Sequence, residues 1–439
     1  RGHGGSGGTI ELIDPAVEVQ DLIHVIDWVE DYLPRLAYQD DNILLGMVGE
    51  SYGGGVQLLG TAVDDRIDAI VPITTWYDFS ETLTPNDVVK SGWLTTLIVV
   101  GNIINPTTMN KQLNRAYWRA LTDTTPDYFA PMLSLRSLSN SCYCRVDASP
   151  GADAFFIQGF RDVLFPVNQA IANMQCLEYA GRDVRFLGTQ NGHLLPFTQF
   201  AWSIPGYDLD TSVTCDGQEF KTEDLVMSWF DEKLKGEKGR ADKIPKVCLT
   251  HDNHSGSTFE TMPRGGDTFT LAPMRVHSQM AGLFELPAKL IDIPLDLFTL
   301  KQSKPFDDVS KASEQSITGG RYRPAFQRLQ TVIAPSRIAG IPTAQLIVSA
   351  SEEDIVFIGI GVRRNGRRSI TVLNDQMHPL RGGQDYDLAL PAISAHLYPG
   401  DEIGIVLSGY SNQYRLAGHL SQSVSVHGDI HLPIHAGAE

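Results

Sequence analysis

Gly49-Glu50-Ser51-Tyr52-Gly53 sets a serine among small residues at G-x-S-x-G spacing. That spacing lets a chain turn sharply from a buried strand into a helix and lifts the serine oxygen above a sheet edge, the posture of a nucleophile. A serine hydroxyl attacks poorly at neutral pH, so it needs a histidine base held in the right tautomer by a carboxylate. Gly159-Phe160-Arg161-Asp162 and Gly192-His193 supply both downstream, in the order Ser51, Asp162, His193. The chemistry would be cleavage of an ester or amide through an acyl-enzyme. Each residue also has a plainer reading. Gly49–Gly53 is a structural turn in a chain with 40 glycines, Asp162 caps a helix beginning near Pro166, and His193 is one of 12 histidines. Position separates the two readings, because all three residues directly follow segments that read as buried strands.

Those segments are Ile43–Val48, Ile67–Ile73, Ala154–Ile157 and Val184–Leu187, short continuous apolar runs suited to strands covered on both faces. Helical spacing fills the intervals: about 16–36 after Asp14-Pro15, then Gly53 to Ala62, about 167–180 and about 221–235. Strands alternating with helices predict a parallel α/β sheet that presents Ser51, Asp162 and His193 at one edge. Trp76 follows the second strand on that edge, either lining an acyl pocket or packing in the core. The segment from about 78 to 150 carries Trp93, Tyr117, Trp118, Tyr128 and Phe129 and adds no clear strand, so it reads as a helical cap over the site. After Lys235–Arg240 the texture becomes period-two: Thr268–Leu271, Ala344–Val348, Val356–Ile360, Ile403–Leu407 and Ser423–Val426. This predicts an antiparallel β-sandwich, with a domain boundary near residue 243.

Composition agrees with such an enzyme. The 439 residues exceed a single core of ordinary size, and no run approaches the ~20 apolar residues of a membrane helix. A net charge of −17 disfavours nucleic acid as a partner. The expected partner is a small ester, amide or short peptide, and the oligomeric state stays open, a homo-oligomer included. No cofactor or metal is expected. His251-Asp252-Asn253-His254 has no third ligand at matching spacing and reads as a surface loop; Gly2–Gly8 lacks the Lys-Ser/Thr of a phosphate cradle. Cys142-Tyr143-Cys144 reads as packing, while Cys215 and Cys248 are compatible with a bridge in an exported protein.

Several motifs together resemble the Xaa-Pro dipeptidyl-peptidase S15 and cocaine-esterase-like (CocE/NonD) hydrolases. Arg1–Gly8 resembles the family's RGxGxSxG loop, Gly49–Gly54 its GxSYxG elbow and Gly159–Pro166 its Asp loop. Trp229-Phe230-Asp231-Glu232-Lys233-Leu234-Lys235-Gly236 resembles the WFDxxLKG signature, and Tyr398-Pro399-Gly400-Asp401 the late part of the jelly roll. The resemblance implies an α/β-hydrolase domain over 1–243 with a cap, then a jelly-roll sandwich over 244–439. It implies Ser51 as nucleophile, His193 as base, Asp162 as orienter and the backbone N–H of Tyr52 as one oxyanion donor. It also implies that the sheet's first strands, and a tyrosine side chain completing the oxyanion hole, lie upstream of Arg1, so that a partial or processed chain leaves a sheet edge exposed. Family habit leans toward secretion. The competing reading is a non-catalytic binding protein that keeps the elbow as a turn and binds its ligand through the sandwich.

Overall fold

The computed structural model describes residues 1–2, 4–104, 110–120, 127–144, 151–193, 212–252, 254–277, 324–414 and 423–437. The alternation of buried apolar runs and helices produces one mixed sheet of β1 (Leu45–Glu50), β2 (Ile67–Ile73), β3 (Asp153–Gly159), β4 (Val184–Thr189), β5 (Val247–Thr250) and β6 (Gly256–Phe259). Neighbours in sequence are neighbours in space. β1 to β5 run parallel, and β6 closes the far edge antiparallel.

Both faces of the sheet are covered, which is why its strands read as continuous apolar runs. On one face α1 (Glu18–Tyr32), α2 (Tyr52–Thr61) and α3 (Val167–Tyr179) bury Ile26, Leu58, Ala170 and Leu177 against Ile70, Phe156 and Phe186. On the other, α4 (Thr222–Lys235) packs Leu225, Val226 and Trp229 against Val71, Phe155 and Leu187. Successive strand residues therefore serve opposite cores, as pleating requires. α4 has Glu223 and Asp224 in its first turn, Lys233 and Lys235 in its last, and a left-handed C-cap at Gly236 (φ 69°), so the WFDxxLKG segment is a helix end.

Two boundaries differ from the sequence reading. The first strand starts at Leu45 and continues through Glu50, while Ile43 pairs in a two-residue ribbon with Tyr38. Glu50 is therefore the strand's last residue, immediately before Ser51. The sheet also runs past residue 243, because β5 and β6 belong to it. Periodicity could not assign a four-residue run buried throughout, Val247–Thr250, to either unit. β1 is the open edge, with Val48 51% exposed.

Between β2 and β3 the chain forms only helices among the described residues: Phe79–Leu83, a turn at Pro85–Asp87, Ser91–Ile104, Lys111–Ala120, Phe129–Ser134 and Leu138–Cys144. Their core joins Trp76, Phe79, Leu83, Trp93 and Leu133 to Val163, Leu164 and Phe165, so the cap sits on the loop that follows β3.

The paired strands described in the second unit are antiparallel. One sheet holds Asp267–His277, Ser423–Leu432, Thr343–Ser349 and Gln384–Ala389, and the facing one Ala325–Thr331, Glu402–Ser408, Ile355–Arg363 and two short strands. Thr343–Ser349 alternates buried and exposed residues as the period-two pattern predicts. Ile355–Arg363 is buried on both faces, because Ile355 and Phe357 pack outward on Val88 of the cap segment and on Tyr414. A disulfide, Cys215–Cys248, ties the hairpin Ser212–Lys221 to β5 across a Cα separation of 6.0 Å. Cys176 is also disulfide-bonded, and the side chains of Cys142, Cys144 and Tyr117 lie outside the described residues.

Candidate active site

Ser51 takes φ 54° and ψ −111°, a conformation costly for a residue with a Cβ. The surrounding structure imposes it. Ser51 N–H donates to the Ile73 carbonyl (2.8 Å), and its own carbonyl accepts from Gly55 N–H (3.0 Å) and Thr75 Oγ1 (3.0 Å). A Cβ on Gly49 would stand 2.8 Å from the Gly53 carbonyl and one on Gly54 2.9 Å from Thr75. Gly53, the last residue of the motif, has open space where a Cβ would lie. Close packing therefore demands glycine at 49 and 54.

Asp162 is fully buried in the turn after β3. Its Oδ1 accepts from the N–H groups of Leu164 (3.0 Å) and Phe165 (2.7 Å), and its Oδ2 lies 2.7 Å from His193 Nδ1. The helix-cap alternative falls away, because the N-cap of α3 is Pro166 and no side chain caps it. The loops carrying Asp162 and His193 touch through glycines: a Cβ on Gly192 (φ 145°) would come within 2.2 Å of Asp162 N. Val163 N–H donates to the His193 carbonyl (3.3 Å), and Phe165 and Trp93 meet the imidazole edge-on at 5.3 and 6.0 Å.

With Asp162 on Nδ1, the neutral ring keeps its proton there and offers Nε2 as a base. Burial pulls the imidazole pKa down, but Asp162, by charge and hydrogen bond, and Glu50, by charge, outweigh it and hold the group above 6.5. Among the described residues no hydrogen bond joins Ser51 Oγ to the ring. Such contacts commonly tighten only when substrate binds.

Tyr52 opens α2, so its N–H lies at the positive end of that helix. Its hydroxyl is turned away from Ser51: it donates to Glu18 Oε1 (2.9 Å) and accepts from Ile13 N–H (2.9 Å). Glu18 also accepts from the N–H groups of Glu11 and Asp14, fixing the N-terminal loop to the elbow. Trp76 is buried, stacked on Phe79 at 4.4 Å, with Nε1 donating to the Arg136 carbonyl (2.8 Å). It reaches the histidine through Phe165, 5.2 Å away.

The surface-loop reading of His251 is corrected. The residue is buried at the end of β5 and bonds Ser394 Oγ (2.9 Å) of the sandwich and Ser257 Oγ (2.8 Å), which makes it a joint between the units. Asn253 lies outside the described residues, and among those described no group of three or more His, Cys, Asp or Glu is arranged to hold a metal.

Residues 1–194, which contain Ser51, Asp162 and His193, match the family model of X-Pro dipeptidyl-peptidase (S15 family). That match takes in the first 194 of the 439 residues. Its fold is that of an aminopeptidase from a marine sediment Thaumarchaeota archaeon (TM-score 0.64, 13% identity, 99% of this chain and 84% of that one). A CocE/NonD family hydrolase from Staphylococcus aureus superposes with TM-score 0.61 at 11% identity, over 99% and 78% of the two chains. An α-amino acid ester hydrolase does so with 0.58 at 14%, over 99% and 84%. No curated protein sequence matches significantly. One residue beside Ser51 escaped sequence reasoning. Glu50 is half-buried, raised in pKa first by burial and then by Asp162, and close enough to His193 to feel its charge. Its carboxylate has no hydrogen-bond or ion-pair partner among the described residues. The only signal for it in the sequence was adjacency to Ser51.

Proposed function

We propose that this protein is a serine hydrolase that cleaves an ester or amide bond through an acyl-enzyme. The observation that carries the reading is the buried Asp162–His193 pair, 2.7 Å apart, on the sheet edge where the strained elbow presents Ser51. Ser51 Oγ attacks the carbonyl carbon while His193 Nε2 takes its proton, and Asp162 stabilises the imidazolium without accepting that proton. The tetrahedral oxygen accepts from Tyr52 N–H at the start of α2. Collapse expels the alcohol or amine, protonated by His193, and water activated by the same ring releases the acid. Ser51→Ala is expected to lose both turnover and labelling by a fluorophosphonate. Turnover retained in that variant, or wild type inert to the reagent, would favour a binding protein with a vestigial elbow.

Glu50 favours an acyl group bearing a free amine, because an unpartnered carboxylate beside the nucleophile suits an ammonium. The fold relatives include an aminopeptidase and an α-amino acid ester hydrolase, which supports the same reading. Ala-Pro-nitroanilide should then be preferred over its N-acetylated counterpart. Glu50→Gln should shrink that preference by about tenfold or more, a factor equal to one lost charge-assisted hydrogen bond. An unchanged ratio would leave simple esters as the substrates. The Cys215–Cys248 bridge supports maturation in an oxidising compartment.

A further inference from the structure

The turn that carries Asp162 is gripped from two sides by residues remote in sequence. Lys90, in the cap segment, donates from Nζ to the carbonyls of Val163 and Leu164, both at 3.0 Å. Gln376, in the sandwich, donates from Nε2 to the carbonyls of Phe160 (2.8 Å) and Asp162 (3.0 Å). The intervening Arg161 is tied by its guanidinium to Asp375 (2.5 Å). From Phe160 to Leu164 each residue is thus held by a side chain that belongs to neither β3 nor β4.

We propose that Lys90 and Gln376 are positioning residues that set the Asp162 loop, and through it the orientation of His193. The inference rests on the serine-hydrolase reading and extends it to the cap and the sandwich. Three observations support it. Both side chains are buried, Lys90 at 3% and Gln376 at 4% exposure, in places where an apolar chain would pack without desolvating a polar group. Both come from strained turns: Asn86 and Asp87 precede Lys90 with φ 50° and 56°, and Asn374 and Asp375 precede Gln376 with φ 52° and 59°. Such conformations persist only where surrounding contacts over-determine them. Asn374 and Asp375 are indeed pinned, by Ser394 N–H and Gln190 on one and by Gln413 on the other.

The electrostatics agree. Burial pushes the Lys90 ammonium down to about 7, against the pull of Asp162 and Glu81. His378, which faces it from the sandwich, is pushed down to about 4 by burial and by Lys90, so it is neutral at pH 7. Near neutral pH Lys90 is thus only partly charged, and what charge it keeps is supported by Asp162 and Glu81.

The test is Gln376→Met and Lys90→Met in the full chain, with kcat and KM on a nitrophenyl ester and the His193 ring followed by NMR. A loosened Asp162 should lower kcat by about tenfold or more with KM nearly constant, since misplacement of reacting groups by ~1 Å costs up to 10²-fold. In Gln376→Met, which changes no charge, the His193 pKa should fall and the downfield Nδ1–H resonance should broaden or vanish. Folded variants that keep kcat and the His193 resonance overturn the proposal. So does a loss of activity that tracks thermal unfolding while the ring signals stay unchanged. If a Met variant does not fold, Asp375→Asn, at a partly buried position of the same turn, replaces it with the same expectation. The NMR readout needs no substrate, so it separates failure of this inference from failure of the hydrolase reading, which fluorophosphonate labelling of wild type reports.

Discussion

His193 shows how competing effects settle at a single residue. Burial alone would lower its pKa, yet Asp162 at 2.7 Å and the charge of Glu50 leave it above 6.5. A base must be unprotonated, so kcat/KM is expected to fall on acidification at a pH above 6.5, not at the value of a free histidine, and a pH–rate profile measures it. The linkage has a matching sign. A raised histidine stabilises the folded chain below its unfolded pKa, and that contribution is lost as pH rises through the folded one. Ser51, Asp162 and His193 were legible in the sequence because each directly follows an apolar run, and strand ends are where an α/β sheet places chemistry. Lys90 and Gln376 were not legible. They reach Leu164 and Asp162 across 74 and 214 residues of sequence, and no local pattern encodes contacts at that range.

Among the elements, the helices and strands of the first unit followed from periodicity, while their ends followed from contacts. β1 begins at Leu45, not Ile43, because Leu45 N–H is taken by Asp68 Oδ2 (2.8 Å) and Ile43 by the short ribbon. The hairpin Ser212–Lys221 was not foreseen. It lacks an apolar run of its own and is held by the Cys215–Cys248 bridge and by packing of Val213 on the α4 side of the sheet. Closing 33 residues with a disulfide removes chain entropy from the unfolded state, worth about 3–4 kcal/mol in the loop-closure model. Replacing both Cys215 and Cys248 by serine should therefore cost a few kcal/mol in denaturant unfolding, while Ser51 labelling at low temperature persists. An unchanged midpoint would mean that the bridge closes on an already ordered segment.

At the scale of the whole molecule the sandwich is a working part of the first unit's architecture. Besides the Gln376 contacts, Arg161 pairs with Asp375, Asn168 bonds the Leu390 carbonyl and Ala392 N–H, and His251 bonds Ser394. Most of these fall on the carboxyl edge of the sheet or beside it, so the two units should unfold together. The Arg161–Asp375 pair is sheltered, with side chains 12% and 20% exposed. A double-mutant cycle with Arg161→Ala and Asp375→Ala is expected to give a coupling of about 1–3 kcal/mol in unfolding, above an exposed pair. A coupling near zero would mean that the units meet without reinforcing each other.

By itself the sequence pointed to the order of strands, to the cap, and to Ser51, Asp162 and His193 as candidates at strand ends. Apolar periodicity and the sterics of a strand-to-helix turn are local, and each can be read within a dozen residues. Only the tertiary structure decided what surrounds those residues. It left Glu50 half-buried beside Ser51 within reach of the His193 charge, and it turned His251 from a loop into a joint. It also gave the Asp162 loop its supports from the cap and the sandwich. Those outcomes depend on which distant side chains find buried carbonyls and amides to satisfy, and that is fixed by packing in three dimensions.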